Sequence, residues 1–165
     1  MDVIRTERLL LRKACEGDLP AIHRILSDDR AMRYWSSLPH ADLEQTREWL
    51  SGMIAAPAET SFDFIVELDG EAIGKAGCYR LPEIGYILHP EHWGKGYARE
   101  ALAALIPEIF ARYDLPALTA DVDPDNLPSI RLVEGLGFTF THRAARTWLL
   151  GDVWHDSVYY ALKRP

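Results

Sequence analysis

The sequence predicts a mixed α/β fold: a mostly antiparallel sheet of about seven strands, flanked by about four helices. Three observations carry this. Hydrophobic spacing changes from a helical period to alternation at residue 61 and back to a helical period at 97. Asp69-Gly70 and Gly151-Asp152 stand between strand-like runs, where hairpin turns belong. A helical segment lies between two apolar runs, 84–88 and 118–122, which permits one parallel pair in an otherwise antiparallel sheet.

Taken in order, residues 3–12 read as a first strand, and 18–27 (DLPAIHRILS) as a short helix with Asp18 as N-cap. Residues 42–55 form a second helix. Leu43, Thr46, Leu50, Met53 and Ile54 share one face, and Asp42 with Gln45 resembles a capping box. In 61–68 (SFDFIVEL), Phe62, Phe64, Val66 and Leu68 alternate against Asp63 and Glu67, and EAIGKAGCY returns antiparallel after the turn. IGYIL (84–88) is almost wholly apolar, hence a central strand. Residues 97–113 carry apolar side chains at helical spacing. Pro107 removes one backbone bond there, at a cost on the order of 3 kcal/mol, and predicts a kink. LTADV (118–122) is a strand, 127–134 a short helix ending near Gly135 and Gly137, and 143–150 with 153–162 a terminal hairpin.

A length of 165 residues suits one domain, 1–165, with a full hydrophobic core. Lys and Arg number 18 and Asp and Glu 25, a net charge of −7. That sign speaks against a phosphate-tracking nucleic-acid binder and fits an amine-bearing partner. Cys15 and Cys78 form no CxxC pair, so neither a zinc site nor a disulfide framework is expected; a reducing, cytoplasmic setting is the simplest reading. The N-terminal stretch MDVIRTERLLLRK has too short an apolar run for a signal peptide, and no segment approaches the roughly 20 apolar residues that span a bilayer.

The chemistry concentrates in HPEHWGKGYARE (89–100). An apolar strand ends at Leu88, glycines follow at 94 and 96, and a helix begins. Glycines allow a sharp turn without a Cβ in the way, and the first amides of the helix point unpaired into the same space. Such a concavity takes phosphate, and Lys95 and Arg99 add positive charge. A plain tight turn would use the same glycines. A P-loop is excluded because no Ser or Thr follows Lys95, and a dinucleotide fingerprint because position 99 is Arg.

EIGYILHPEHWGKGYAREA resembles the acyl-CoA-binding motif of the GNAT superfamily of N-acetyltransferases, and NLPSIRLVEGLGF (126–138) is similar to the second half of that signature. TERLLLR (6–12) resembles the opening of the branch that acetylates ribosomal-protein N-termini. The resemblance implies acetyl transfer from acetyl-CoA to a primary amine by direct attack in a ternary complex, with no metal. It implies a centrally splayed sheet, in which the strand at 84–88 carries a bulge and parts from 118–122. Backbone groups of Tyr86, Ile87 and Leu88 would hold pantetheine, and amides of Trp93, Gly94, Lys95, Gly96, Tyr97, Ala98 and Arg99 the pyrophosphate. Asn126 would contact the pantetheine arm, and Ser129 would protonate the departing thiolate. Many members use a Tyr four residues beyond that Ser, where this chain has Val133. Asn126 as a plain N-cap and Ser129 as a first-turn residue is the structural alternative.

The attacking amine must lose a proton, and Glu83, at the start of the central strand, is the candidate base; an ordinary strand-edge carboxylate is the alternative. His89 and His92 flank the loop as possible shuttles or as solvated histidines. The Leu88 N–H is the candidate donor to the thioester carbonyl. Cys78, with no His or Asp beside it in sequence, reads as buried and inert. The region 30–40 walls the acceptor pocket in the family, which makes Tyr34 and Trp35 pocket candidates, with core packing as the alternative; Trp148 and Trp154 are expected to pack. The acceptor is a small-molecule amine or a protein N-terminus, with neither nucleic acid nor membrane as partner, and the chain a monomer or homodimer. The rival readings are a non-catalytic acyl-CoA sensor and a nucleotide binder of another fold.

Overall fold

The structure, a computed structural model, describes residues 3–165; Met1 and Asp2 of the predicted 1–165 domain lie outside the described residues. Its opening departs from expectation. Residues 3–12 make two short strands, β1 (Val3–Arg5) and β2 (Leu10–Arg12), paired antiparallel with Ile4 opposite Leu11. The cause is Thr6. Its N–H donates to the Leu9 carbonyl at 2.9 Å and its hydroxyl accepts the Leu9 N–H at 3.0 Å, which folds the polar stretch back on itself. Among the described residues the sheet therefore has eight strands, one more than predicted.

A 3-10 turn (Glu16–Asp18) leads into α1 (Leu19–Leu26). Asp18 does not cap α1. Its backbone is already helical, and its carboxylate accepts the Cys15 N–H at 2.9 Å and takes a two-point grip from Arg12 at 2.7 and 3.0 Å. In α2 (Leu43–Ala55) the Asp42 cap does form, accepting Gln45 N–H at 2.8 Å, while the Gln45 amide oxygen accepts from Ala41 at 3.0 Å. The buried stripe of α2 is narrower than predicted: Thr46, Leu50 and Met53 are buried, whereas Leu43 and Ile54 are exposed.

β3 (Phe62–Leu68) and β4 (Glu71–Arg80) meet at the Asp69-Gly70 turn, followed by β5 (Glu83–Leu88). Both faces of this central region are covered, so the alternation of β3 is not one of inside against outside. Phe62, Phe64 and Val66 join the core under α3 (Tyr97–Arg112), and Ile65 joins Ile22, Ile25 and Met53 of α1 and α2. Burial of each such side chain contributes about 1.5–3 kcal/mol. Asp63 is buried as well, with its charge met by buried Lys75 at 2.9 Å. α3 runs through Pro107 unbroken. Pro107 and Ala103 are both exposed, so the Ala103 carbonyl that loses its donor can turn to water.

β6 (Ala117–Val122), α4 (Leu127–Gly135), β7 (Thr139–Leu150) and β8 (Val153–Lys163) complete the chain. β7 begins four residues before its predicted start, since pairing with β8 continues to Thr139 opposite Ala161. It is an exposed edge strand, so burial leaves little mark on its sequence. The sheet order is β1-β2-β3-β4-β5-β6-β8-β7, antiparallel throughout except between β5 and β6.

Candidate active site

Among the described residues the parallel pair is joined at one place only. Glu83 faces Thr119, whose N–H reaches the Pro82 carbonyl at 3.0 Å, and beyond that point β5 and β6 diverge. A bulge accompanies this, on β4 rather than on β5: Cys78 and Tyr79 together oppose Ile84. The diverging strands open a cavity of about 890 Å³ lined by Tyr86, Ile87, Leu88, Ala120, Val122, Asn126, Ser129 and the glycine loop.

The two sides of β5 have different duties. His89 donates to Ile73 of β4 at 2.9 Å, so by antiparallel alternation Ile87 also turns its main-chain groups to β4, while Tyr86 and Leu88 turn theirs toward the cavity. Ile87 therefore cannot offer the backbone pairing expected of it, because Lys75 already occupies that edge. Tyr86 and Leu88 can. The Leu88 carbonyl accepts the Trp93 indole N–H at 3.0 Å, and its N–H faces the slot.

Gly94 and Gly96 hold φ of 71° and 81°, a left-handed conformation that side chains resist. Among the described residues, no amide from Gly94 to Arg99 donates to a protein acceptor; the first bond of α3 runs from Glu100 to the Gly96 carbonyl at 3.0 Å. Trp93 does not belong to that set, since its amide is spent on the Pro90 carbonyl at 3.2 Å. The loop is clamped from outside by Arg8, whose guanidinium donates to the Lys95 carbonyl at 2.9 Å and lies 4.5 Å from the Tyr97 ring. Glu100 ties the same turn down, accepting from Arg8 N–H, Arg8 Nε and the Thr6 hydroxyl at 2.8, 2.6 and 2.6 Å. Burial pushes the Glu100 carboxyl up, but these three donors outweigh it and hold it below its ordinary value.

Across the slot, the Asn126 side chain accepts Ser129 N–H at 3.4 Å at the start of α4. The Ser129 hydroxyl bonds to the Tyr86 hydroxyl. No local sequence signal marks the side chain of Tyr86, because its partner lies 43 residues away on another element. Arg99 reaches the Gly135 carbonyl at 3.3 Å from the cavity wall.

Tyr34 and Trp35 both line the cavity, half-buried, with Lys75 Nζ 6.0 Å from the Trp35 ring. Glu83 stands where the strands part and is not among the lining residues. It is exposed, yet protein crowding on one side raises its carboxyl, and the like charge of Asp121 raises it further. Asp121 and Asp123 line the cavity and were not anticipated. Trp148 donates to Asp121 at 3.1 Å, and His155 pairs with Asp123 at 3.2 Å. Trp148 and Trp154 are 40% and 45% exposed, so neither packs inside as expected. His92 lines the cavity and His89 accepts Glu91 N–H at 3.2 Å. Cys78 is buried, and burial pushes its thiol up to about 12, which makes it unreactive. Among the described residues no helix is long and apolar enough to cross a membrane, and no group of three His, Cys, Asp or Glu is placed to hold a metal.

A family model described as an acetyltransferase (GNAT) domain matches residues 8–139. The uncharacterized N-acetyltransferase p20 of Bacillus licheniformis is 35% identical over 147 residues, covering 84% of this chain and 83% of its own. Spermidine N(1)-acetyltransferase of Escherichia coli K12 is 30% identical, covering 90% and 82%. The solved structure of RimL, a ribosomal L7/L12 alpha-N-protein acetyltransferase in complex with coenzyme A, shares the fold at a TM-score of 0.86 and 23% identity, with 98% of each chain covered. The chain belongs to the GNAT acetyltransferase family.

Proposed function

We propose that this member of the GNAT acetyltransferase family moves the acetyl group of acetyl-CoA onto a primary amine by direct attack in a ternary complex. The observation that carries the reading is the arc of unspent amides from Gly94 to Arg99 at the open end of the slot. A diphosphate satisfies such an arc through main-chain donors and the positive end of α3. Lys95 and Arg99 add charge. Pantetheine lies along β5 against the main chain of Tyr86 and Leu88, as an added strand would, with Asn126 opposite. The Leu88 N–H polarises the thioester carbonyl, Ser129 gives a proton to the departing sulfur, and Glu83, directly or through water, takes one from the amine.

Tyr34 and Trp35 form one wall of the acceptor side and Asp121 and Asp123 another. Carboxylates there favour a positively charged amine, and the relative that acts on spermidine shares that preference by name. A polyamine or a protein N-terminus fits this chemistry. The test is thiol release from acetyl-CoA with a panel of polyamines, peptides and free amino acids. Release that needs an amine, with an intersecting initial-velocity pattern, supports the reading. A ping-pong pattern, or no release above background with any amine, overturns it.

A further inference from the structure

The hydrogen bond between Tyr86 and Ser129 joins the two sides of the slot, from β5 to the first turn of α4. We propose that Tyr86 is a positioning residue for acetyl transfer: its hydroxyl donates to Ser129 and thereby turns the Ser129 proton toward the departing sulfur. The inference rests on the reading of Ser129 as the group that meets the sulfur, and it adds what makes a serine suited to that task.

A serine hydroxyl has one proton and can rotate it among several acceptors. Around Ser129 the main-chain N–H is already given to Asn126, and the hydroxyl oxygen has Tyr86 as its neighbour. If Ser129 donated to Tyr86, nothing would remain for the sulfur. If Tyr86 donates, the serine oxygen is the acceptor and its proton is free for the cavity that both residues line. Either hydroxyl can donate in this geometry. Burial raises the Tyr86 phenol above its ordinary value, so the proton that the second arrangement needs stays on the phenol. Val133, about one helical turn beyond, offers no hydroxyl of its own, and Tyr86 supplies one from the opposite side of the slot.

The step balances without a further reactant. The C–N bond forms and the C–S bond breaks. Sulfur leaves with the electron pair and takes the Ser129 proton, the surplus amine proton leaves through Glu83 or water, and Ser129 is reprotonated from solvent. Tyr86 keeps its own proton.

The test measures binding of free CoA by calorimetry at pH 7 and pH 9 to the unaltered protein, Tyr86→Phe, Ser129→Ala and the double variant. Phe keeps the ring, so packing is preserved. A donor aimed at sulfur stabilises the thiolate, so CoA should bind several-fold more tightly at the higher pH. Both single variants should lose that gain, with no further loss in the double variant, and Tyr86→Phe should lower kcat at unchanged KM for acetyl-CoA. If Tyr86→Phe keeps the full pH gain while Ser129→Ala loses it, the role of Tyr86 is overturned and that of Ser129 stands. Losses that add in the double variant also overturn the coupling. A gain absent from the unaltered protein, or present in all four proteins, removes Ser129 from the sulfur and the inference with it.

Discussion

Arg8 donates to the carbonyl oxygen of Lys95 at 2.9 Å, so the turn between β1 and β2 holds the outer side of the glycine loop. The same arginine is held by Glu100 in α3, which makes the opening hairpin, the loop and the helix one unit. Glu100→Gln weakens that clamp. KM for acetyl-CoA should rise about three- to tenfold with kcat little changed, as expected when about 1 kcal/mol of loop ordering is lost. An unchanged KM would show that the loop holds its shape without Arg8.

Gly96→Val meets two obstacles. A β-branched residue at φ 81° is strained, and its Cβ would stand 3.4 Å from Arg8 Nη2. Affinity for CoA, read by calorimetry, should fall at least tenfold, with the far-ultraviolet spectrum unaltered. Retained affinity would refute the assignment of this loop to the diphosphate.

Gly74 tests the sheet rather than the loop. A Cβ there would lie 2.1 Å from the Ile87 carbonyl oxygen and 2.9 Å from Leu88 Cα. Gly74→Ala should push β5 away from β4 and cost about 3 kcal/mol or prevent folding, seen in denaturant unfolding. A stable, active variant would mean that β5 sits otherwise.

Glu83 carries a carboxyl raised by crowding and by Asp121. A base must be ionised to act, so the acid limb of kcat/KM should lie above the ordinary carboxylate range and vanish in Glu83→Gln, along with most of the rate. Stability should move the other way. A carboxyl whose pKa is raised on folding binds protons more readily in the native state, so its ionisation works against the fold as pH rises past the unfolded value. Glu83→Gln should therefore melt slightly higher at neutral pH. A lower melting point with full activity would mark Glu83 as structural.

Thr46 bridges His23 and His40, each Nδ1 lying 2.7 Å from its buried hydroxyl. Burial, then the charge of His23, lowers the His40 pKa, with Asp42 opposing. The unfolded chain then binds the proton more readily, so stability is full above about pH 6.5 and falls as pH drops below it. Melting curves between pH 8 and 5 should show this loss, and His40→Gln should flatten it; an equal slope in that variant would place the acid sensitivity elsewhere.

Much of this molecule was legible in the sequence where a local rule decides the outcome. Asp42 caps α2, Asp69-Gly70 turns the hairpin, and Gly94 and Gly96 adopt the left-handed backbone that leaves the amides open. Legibility failed where a partner outside the element decides. Residues 3–12 split in two because Thr6 folds back and is held by Glu100, 94 residues away. Asp18 looked like a cap but serves Arg12. Tyr86 and Asp121 entered the site through tertiary geometry: neighbours in sequence gave no hint that Tyr86 would meet Ser129 or that Asp121 would meet Trp148.

The most direct measurement follows the backbone amides themselves. In ¹⁵N-labelled protein titrated with CoA, the signals of Gly94, Lys95, Gly96, Tyr97, Ala98 and Arg99 should shift together, and pantetheine, which lacks the diphosphate, should leave them in place while moving Tyr86 and Leu88. If CoA binds and those six amides stay where they are, the loop does not hold the diphosphate and the reading of the site is wrong.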